Sequence, residues 1–403
     1  WTATYTPTAE TSDTTNVLTI GTGYTDTAGN AGASGTSANY IVDGVDPTVT
    51  SITFTDTTLI EGETSLVTIV FSEAVAAFTN ADFTIVNGAL STVADSGDAT
   101  TWTATYTPTA ETSDTTNVLT IGTGYTDTAG NAGASGTSAN YIIDGVDPTM
   151  TISSSTVSSG TTTNDATIAL TFTSSESTTD FLEADITLSG GSLSNFAGSG
   201  ATYTATFTPT TDGATSISVA ADKFADSAGN QNEVSNTFAW TYDSTALTIT
   251  IASSTSGVTT GSTTNDGSIG LTFTTSESTT GFAADDVTVS GGSLSNFAGS
   301  GTAYTATFTP TTDGATSISV AAGGFTDGAG NSNTVSNTFA WTYDGTGPTV
   351  AITSTASDPA SSSTIAVTIT FSESTSNFIN GDLTLSGATS TLSGSGTTYT
   401  ATL

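Results

Sequence analysis

Apolar and small polar residues alternate along this chain with a period of two residues. Between residues 48 and 143 the alternation forms six runs: SITF, SLVTIVF, ADFTIVNG, TWTATYTP, NVLTIG and TSANYII. Such alternation predicts half-buried β-strands, because successive side chains of a strand point to opposite faces. Gly, Asn, Asp and Pro cluster between the runs, where they favour turns. No run has the period of a helix.

A further short strand near residues 90–93 brings the expected number to seven strands in about 100 residues. The pattern predicts an all-β fold made of seven-stranded, immunoglobulin-like β-sandwich domains without a disulfide. Trp102 is replaced by Tyr203 and Tyr304 in equivalent runs, so we interpret it, like Trp240 and Trp341, as a packing residue. The side chains expected to point inward are Ile52, Phe54, Val67, Ile69, Phe71, Phe83, Ile85, Trp102, Tyr106, Val118 and Ile142.

The chain is a tandem array. Residues 1–41 recur without change at residues 102–142, and Trp240 and Trp341 of the repeated phrase SNTFAWTYD are separated by the same shift of 101 residues. This length exceeds that of a solenoid unit and matches one sandwich domain. We therefore predict domains arranged as beads on a string. The predicted segments are a C-terminal half-repeat at 1–46, repeats at 47–147, 148–246 and 247–347, and an N-terminal half-repeat at 348–403.

Charge restricts the partners of this chain. Its 37 acidic residues face one basic residue, Lys223, which gives a formal net charge of -36. Such a surface repels phosphate backbones and anionic lipids, so we expect neither nucleic-acid binding nor direct membrane contact. Cations are the natural counterpart. No apolar run approaches the roughly 20 residues that span a bilayer, and no signal peptide is visible.

The acidic residues recur at fixed places in each repeat. In an antiparallel sandwich, the ends of the second, fourth and sixth strands and the starts of the others lie at one pole, which we call the N-terminal pole because the chain enters there. Glu61 and other acids fall in turns at the opposite pole, where we expect them to be solvated. The N-terminal pole should gather Asp43, Asp46, Glu73, Asp82, Asp127 and Asn131.

Carboxylates gathered in this way repel one another unless a positive charge lies among them. The chain offers almost no Lys or Arg, so a bound cation is the simplest solution. Oxygen ligands without His or Cys select a hard ion, and irregular loops favour Ca²⁺ over Mg²⁺. The DTAGN loop fits, because its Gly permits a tight turn. The alternative interpretation is that these residues only form Asx-turns and that DGVDP is a stiff linker.

The same set recurs in the later repeats with decreasing completeness. The second set keeps both linker acids and should bind equally well: Asp144, Asp147, Glu176, Asp185, Asp226 and Asn230. The third set has one linker acid, in YDSTALT, and is expected to bind more weakly: Asp243, Glu277, Asp286, Asp327 and Asn331. The last set lacks the Asp-x-Ala-Gly-Asn loop and is also expected to be weak: Asp344, Glu373 and Asp382.

The runs FSEAV, NADFTIVNG, WTATYTPTAETSDTTNVLTI and DTAGN, with the linker DGVDPT, closely resemble the bacterial immunoglobulin-like (Big) repeats of large surface and secreted adhesins. The similarity covers the whole chain, and in the second variant it survives as FTSSES, EADITLSGG, YTATFTPTTDGATSISV and DSAGN. The resemblance implies an extracellular stalk, often stiffened by calcium, that projects an end domain away from the bacterial cell. It does not indicate which ligand that end domain binds.

Three functions are compatible with these observations. The favoured one is a structural, non-catalytic rod whose interdomain angles are fixed by Ca²⁺. The alternative is assembly of like chains, laterally or end to end, into a surface filament, sheath or S-layer-like lattice, because a half-repeat could be completed by strand addition. The third is a carbohydrate-binding module that uses exposed aromatic residues. An enzyme is not expected, since carboxylates are the only available acid and base and a glycosidase-type site in every repeat would be unusual.

Overall fold

The computed structural model describes residues 1–358, 360 and 363–403. These residues form β-strands and four single-turn 3-10 helices, so the prediction of an all-β fold is confirmed. None of their helices is long and apolar enough to cross a membrane. The described chain divides into two compact units, residues 1–161 with 165–242 and residues 162–164 with 243–403. The 3-10 helices are Asn80–Asp82, Glu183–Asp185, Ala284–Asp286 and Asn380–Asp382.

The strands are short and closely follow the repeats. The first half-repeat contains β1 (Ser12–Asn16), β2 (Thr19–Ile20), β3 (Gly35–Thr36) and β4 (Tyr40–Asp43). The next repeat contains β5 (Val49–Phe54), β6 (Thr58–Leu59), β7 (Ser65–Phe71), β8 (Val75–Ala76), β9 (Phe83–Thr84), β10 (Gly88–Leu90), β11 (Ala94–Asp95), β12 (Thr101–Pro108), β13 (Ser113–Asn117), β14 (Thr120–Ile121), β15 (Thr126–Asp127), β16 (Gly136–Thr137) and β17 (Tyr141–Asp144).

The later repeats have fewer and longer strands. Up to residue 242 the chain contains β18 (Met150–Ser154), β19 (Thr162–Thr163), β20 (Ile168–Thr178), β21 (Ile186–Ser189), β22 (Gly191–Pro209), β23 (Gly213–Val219) and β24 (Phe238–Tyr242). The remainder contains β25 (Ile249–Ser253), β26 (Thr263–Thr264), β27 (Ile269–Thr275), β28 (Thr279–Thr280), β29 (Val287–Ser290), β30 (Gly292–Ser300), β31 (Ala303–Pro310), β32 (Gly314–Val320), β33 (Thr326–Asp327), β34 (Phe339–Tyr343), β35 (Val350–Ser354), β36 (Ala366–Thr375) and β37 (Thr391–Thr402).

Each complete repeat is built from two facing sets of strands, mostly antiparallel, although β6 and β26 pair in parallel with β17 and β34. In the first complete repeat, one sheet has the order β10-β12-β7-β5, and the opposite side is broken into the small sheets β13-β17-β6, β16-β14-β9 and β15-β8. In the second unit the corresponding sheets are continuous, with the orders β25-β27-β31-β30 and β26-β34-β32-β29. Alternate residues of β7 are buried between the two sides, as the period of two requires.

The core contains most of the residues that the alternation predicted. Five of the expected inward side chains are buried in the first complete repeat: Ile52, Val67, Ile69, Phe71 and Tyr106. Four others are partly buried and pack against the same core: Phe54, Phe83, Ile85 and Trp102. Trp240 and Trp341 are each 3% exposed, which confirms that they are packing residues.

Two expected core positions are wrong. Val118 is 39% exposed and Ile142 is 38% exposed, whereas Leu119 and Ile143 are fully buried. The pairing of β13 with β17 shifts register between Asp114 and Asn117, and a one-residue shift moves every following side chain to the other face. At Ile142 the error has a simpler cause, because three consecutive apolar residues conceal which of them point inward.

Candidate metal centre

Three acidic residues come together at the N-terminal pole of each complete repeat. Asp43 and Asp144 are the last residues of β4 and β17, and Glu73 lies two residues after the end of β7. In each of three groups, the carboxylates of three acids each place an oxygen within 4.8 Å of those of the other two. These acidic triads are Asp43–Glu73–Asp127, Asp144–Glu176–Asp226 and Asp243–Glu277–Asp327.

One acid of each triad begins the five-residue Asp-x-Ala-Gly-Asn loop. Asp127 Oδ1 accepts hydrogen bonds from the backbone N–H groups of Ala129, Gly130 and Asn131 at 2.7–2.9 Å. Gly130 has a φ of +101°, which L-residues rarely adopt, so the loop requires glycine there. The loops at Asp226 and Asp327 repeat these bonds. The loop itself therefore fixes the direction of the carboxylate, and Oδ2 remains the less engaged oxygen.

The loop asparagine joins two parts of each triad. Asn131 Nδ2 donates to Asp127 Oδ2 at 2.7 Å and to the backbone oxygen of Asp43 at 3.0 Å. Asn230 makes the same pair of bonds with Asp226 and Asp144, at 2.9 and 2.7 Å. Asn331 repeats them in the second unit with Asp327 and Asp243, at 3.0 and 2.9 Å.

Ionisation of all three carboxylates in a triad is unfavourable, because the charges are close together and the Glu is partly buried. Burial, and then the nearby charges of Asp43, Asp127 and Asp46, raise the pKa of Glu73 above its ordinary value. Burial also tends to raise the pKa of Asp127, but the hydrogen bonds from Asn131 and the loop backbone outweigh it and lower this pKa.

The Asp144 triad has the same conflict. Burial, and then the charges of Asp144 and Asp226, raise the pKa of Glu176. In addition, Asp144 Oδ1 is buried and has no hydrogen-bond partner within the described part of the chain. A buried carboxylate oxygen without a donor is costly, and a metal ion would satisfy it.

Four of the expected ligands lie outside the triads and make local hydrogen bonds. Asp82, Asp185, Asp286 and Asp382 each end a 3-10 helix, and their Oδ2 atoms accept the backbone N–H of the residue that precedes the helix. These carboxylates therefore stabilise local turns. Asp344 and Glu373 belong to no triad within the described residues.

The second linker acids lie beside the triads rather than in them. Asp46 is exposed and adds to the negative charge around Glu73. Burial, and then the charges of Glu61, Glu233, Asp226 and Asp222, raise the pKa of Asp147. Glu61 is exposed, as expected for a turn at the far pole of its repeat, and its charge acts on Asp147 of the next linker.

The sequence interpretation also missed Asp313. Its Oδ1 accepts the backbone N–H of Gly345 at 2.7 Å, and its other oxygen accepts the Thr346 hydroxyl, so that it ties a turn to the following linker. The side-chain bond from Thr346, followed by the backbone bond from Gly345, lowers the pKa of Asp313. The repeated phrase TTDGATSISV, in which this Asp recurs, was the available signal.

The fold and the triads define a tandem array of immunoglobulin-like domains with an acidic cluster at the start of each complete repeat. The family described as "Bacterial Ig-like domain" matches residues 43–143, 144–242, 243–343 and 344–403. The chain belongs to this family, which confirms the resemblance seen in the sequence. Each matched range begins at a linker Asp, namely Asp43, Asp144, Asp243 or Asp344.

Solved structures show a distant likeness. Invasin, described as a bacterial integrin-binding protein, is 15% identical in sequence to this chain, with a TM-score of 0.32. The match covers 80% of this chain and 76% of the invasin chain. A chain described as BspA_C_mut is 8% identical, with a TM-score of 0.26, and the match covers 48% of this chain and 98% of that one. Latent PorU from Porphyromonas gingivalis is 10% identical, with a TM-score of 0.17, and the match covers 74% of this chain and 34% of the PorU chain. No curated protein matches the chain.

Proposed function

We propose that this chain is a structural, non-catalytic stalk region of a large bacterial surface protein, and that Ca²⁺ fixes the angle between consecutive repeats. One observation carries the proposal. Asp144 is paired with Ser113 in the sheet of one repeat, while its carboxylate lies against Glu176 and Asp226 of the next repeat. An ion bound by this triad would hold residues of both repeats at once.

The geometry suits calcium. Ca²⁺ binds oxygen at about 2.3–2.6 Å, so two ligands on opposite sides of the ion are separated by about 4.6–5.2 Å. The oxygens of each triad already lie within 4.8 Å of one another. Mg²⁺ binds at about 2.0–2.1 Å and demands near-ideal octahedral geometry, whereas Ca²⁺ tolerates the irregular geometry that ligands from strand ends and loops provide. Backbone carbonyls and water would complete the coordination shell.

The charge balance supports an external cation. Lys223 is the only side-chain cation of the chain, so three triads cannot be neutralised from within. Repulsion between the carboxylates would loosen each junction when the ion is absent. The cation would therefore convert a source of repulsion into a cross-link.

A surface location and a structural role fit the family and the composition. Bacterial Ig-like domains in tandem are suited to spacing one part of a protein from another. The charge of -36 keeps such an array soluble and separate from like-charged surfaces. The aromatic residues of the complete repeats lie mainly in their cores, which does not favour carbohydrate binding as a second candidate.

The experiment measures the junction between the first two complete repeats in the full chain. Thr107 and Thr208 are exposed and occupy equivalent strand positions, and the chain has no cysteine, so the pair Thr107→Cys and Thr208→Cys accepts two spin labels. Double electron–electron resonance should give a narrow distance distribution with Ca²⁺ and a broad one with a chelator. Calorimetric titration should show one bound ion for each triad. Equal widths in both conditions would overturn the proposal.

A further inference from the structure

The amide groups of the loop asparagines are engaged in hydrogen bonds within the protein. Asn230 is 3% exposed, and its Nδ2 donates to a carboxylate of its own loop and to the backbone of Asp144. Both hydrogens of the amide are therefore used. The two acceptors belong to Asp226 and Asp144, whose carboxylates form the triad with Glu176.

We propose that Asn230, and equally Asn131 and Asn331, is a positioning residue that holds two ligand-bearing segments together before the ion arrives, and is not itself a ligand. The inference rests on the proposed function, because it concerns how the cation site is formed. The amide offsets part of the repulsion between the two Asp residues through bonds that need no ion. The site is then preorganised, which reduces the cost of binding.

The first half-repeat contains only one of the two hydrogen bonds that this amide makes in the complete repeats. In the loop that begins at Asp26, Asn30 Nδ2 donates to Asp26 Oδ2 at 2.8 Å, and Asp26 Oδ1 accepts two backbone N–H groups. This loop belongs to no triad among the described residues. The first bond is therefore a property of the five-residue loop itself. The second bond, to the preceding linker Asp, is what connects the loop to another part of the chain.

The second unit shows that the amide oxygen is also engaged. Asn331 Oδ1 accepts a hydrogen bond from Asn164 Nδ2 at 3.2 Å, while Asn331 Nδ2 makes its two bonds to Asp327 and Asp243. The side chain is thus held at both ends by protein groups. This arrangement favours a positioning role over direct ligation.

Asn230→Asp is the discriminating variant, because it keeps the size of the side chain, removes both N–H donors and adds a carboxylate. If the residue were a ligand through Oδ1, the variant would bind Ca²⁺ at least as tightly. A positioning residue predicts at least a tenfold loss of affinity at that one site, measured by calorimetric titration of the full chain. Asn230→Ala should give the same loss without an added charge. Unchanged or tighter binding in either variant would overturn the proposal.

The control is Asn232→Asp. Asn232 is equally buried, at 2% exposed, but its amide donates to Ala220 and Glu233 within its own repeat. This variant should lower the melting temperature and leave the affinity for Ca²⁺ unchanged. A loss of affinity as large as that of Asn230→Asp would mean that general destabilisation is responsible, which would overturn the proposal.

A second measurement separates this proposal from the calcium proposal. In chelator, the spin-label distance between positions 107 and 208 should be more broadly distributed in Asn230→Asp than in the parent chain. That result would support the positioning role even if the parent chain bound no Ca²⁺, which would sink only the proposed function. Equal distributions in chelator would overturn the positioning role, whatever the outcome for calcium.

Discussion

The Asp144 site in the first unit and the Asp243 site in the second contain the same parts, although their linkers differ. Each has a linker Asp, a loop Asp and a loop Asn with the same hydrogen bonds. The Glu of the first site lies in β20, and that of the second site lies just after β27. The linkers read DGVDPT and DSTALT, so only the first acid is common to both. The comparison teaches that one linker acid is sufficient to assemble the triad. The expected weaker binding at the Asp243 site stays a prediction.

The surroundings of the two sites differ more than the sites themselves. Asp147 lies near Glu61 and Glu233, whereas Ala246 occupies its place in the second linker. Leu247, next to Ala246, is fully buried in the core of the second unit. The first site therefore has additional negative charge around it, and the second has additional apolar packing. We expect the first to depend more strongly on its ion.

The largest effect should follow removal of the loop Asp. Asp226→Ala or Asp327→Ala leaves several backbone N–H groups without an acceptor and removes a ligand, so each should cost about 3 kcal/mol of unfolding free energy. Each should also abolish one Ca²⁺ site in calorimetric titration. Asp26→Ala is the matched control, because it removes the same loop bonds where no triad exists. Loss of a calcium site in that control would refute the assignment of the triads.

Neutralising the linker Asp should have the next largest effect. A site held at a Ca²⁺ concentration about 100 times its Kd contributes about 2.7 kcal/mol to stability. Asp144→Asn and Asp243→Asn should each remove one such contribution, seen as a smaller rise of the melting temperature on adding Ca²⁺. The loss should be greater for Asp144→Asn. A calcium-induced rise that is the same in both variants as in the parent chain would contradict the prediction.

Exchanging the second linker residue should have a smaller effect. Asp147→Ala should lower the affinity of the first site by a few-fold, about 1 kcal/mol or less, because a nearby charge outside the ligand set acts through a screened interaction. Ala246→Asp should raise the affinity of the second site by a similar factor. Both changes should shrink as the salt concentration rises. An effect that is independent of salt would indicate that Asp147 is a direct ligand instead.

The smallest effect should be the dependence of stability on pH. The raised pKa values of Glu73 and Glu176 mean that the folded state binds protons more tightly than the unfolded state, so their contribution is present at low pH and is lost as pH rises through the raised values. In chelator, the melting temperature should therefore rise slightly as the pH falls from neutral toward 4.5, the ordinary pKa of Glu. In excess Ca²⁺ it should fall over the same range, because protons compete with the ion.

The control for this prediction is the double variant Glu73→Gln and Glu176→Gln, which should weaken both slopes. The lowered pKa of Asp127 acts in the opposite direction, but only as pH falls below its ordinary value of 3.8. Slopes of the same sign with and without calcium would show that the triads are not where protons and the ion compete.

The sequence was sufficient to place Glu73 and Asp127 together, because strand order determines which loops meet at a pole. It could not show which acids of a pole bring their oxygens within 4.8 Å of one another, since a pole is wider than such a cluster. Asp82 lies at the predicted end of the strand, yet its carboxylate caps a 3-10 helix. Glu61 is exposed, as expected, but its charge also acts on Asp147 of the following linker. Predicting this effect on Asp147 requires knowing how one repeat is connected to the next. The alternation of apolar and polar residues within one repeat carries no such information.

The division of each site between two neighbours has a consequence for how such an array changes in length. Asp144 ends one repeat, and its companions Glu176 and Asp226 stand in the next. Recombination between the gene segments that encode identical copies, such as residues 1–41 and 102–142, would insert or delete whole periods. Each such event would join the C-terminal end of one repeat to the N-terminal end of another, and the junction would again contain a complete acidic triad. The gene can therefore lengthen or shorten in steps while each new joint is equipped like the old ones.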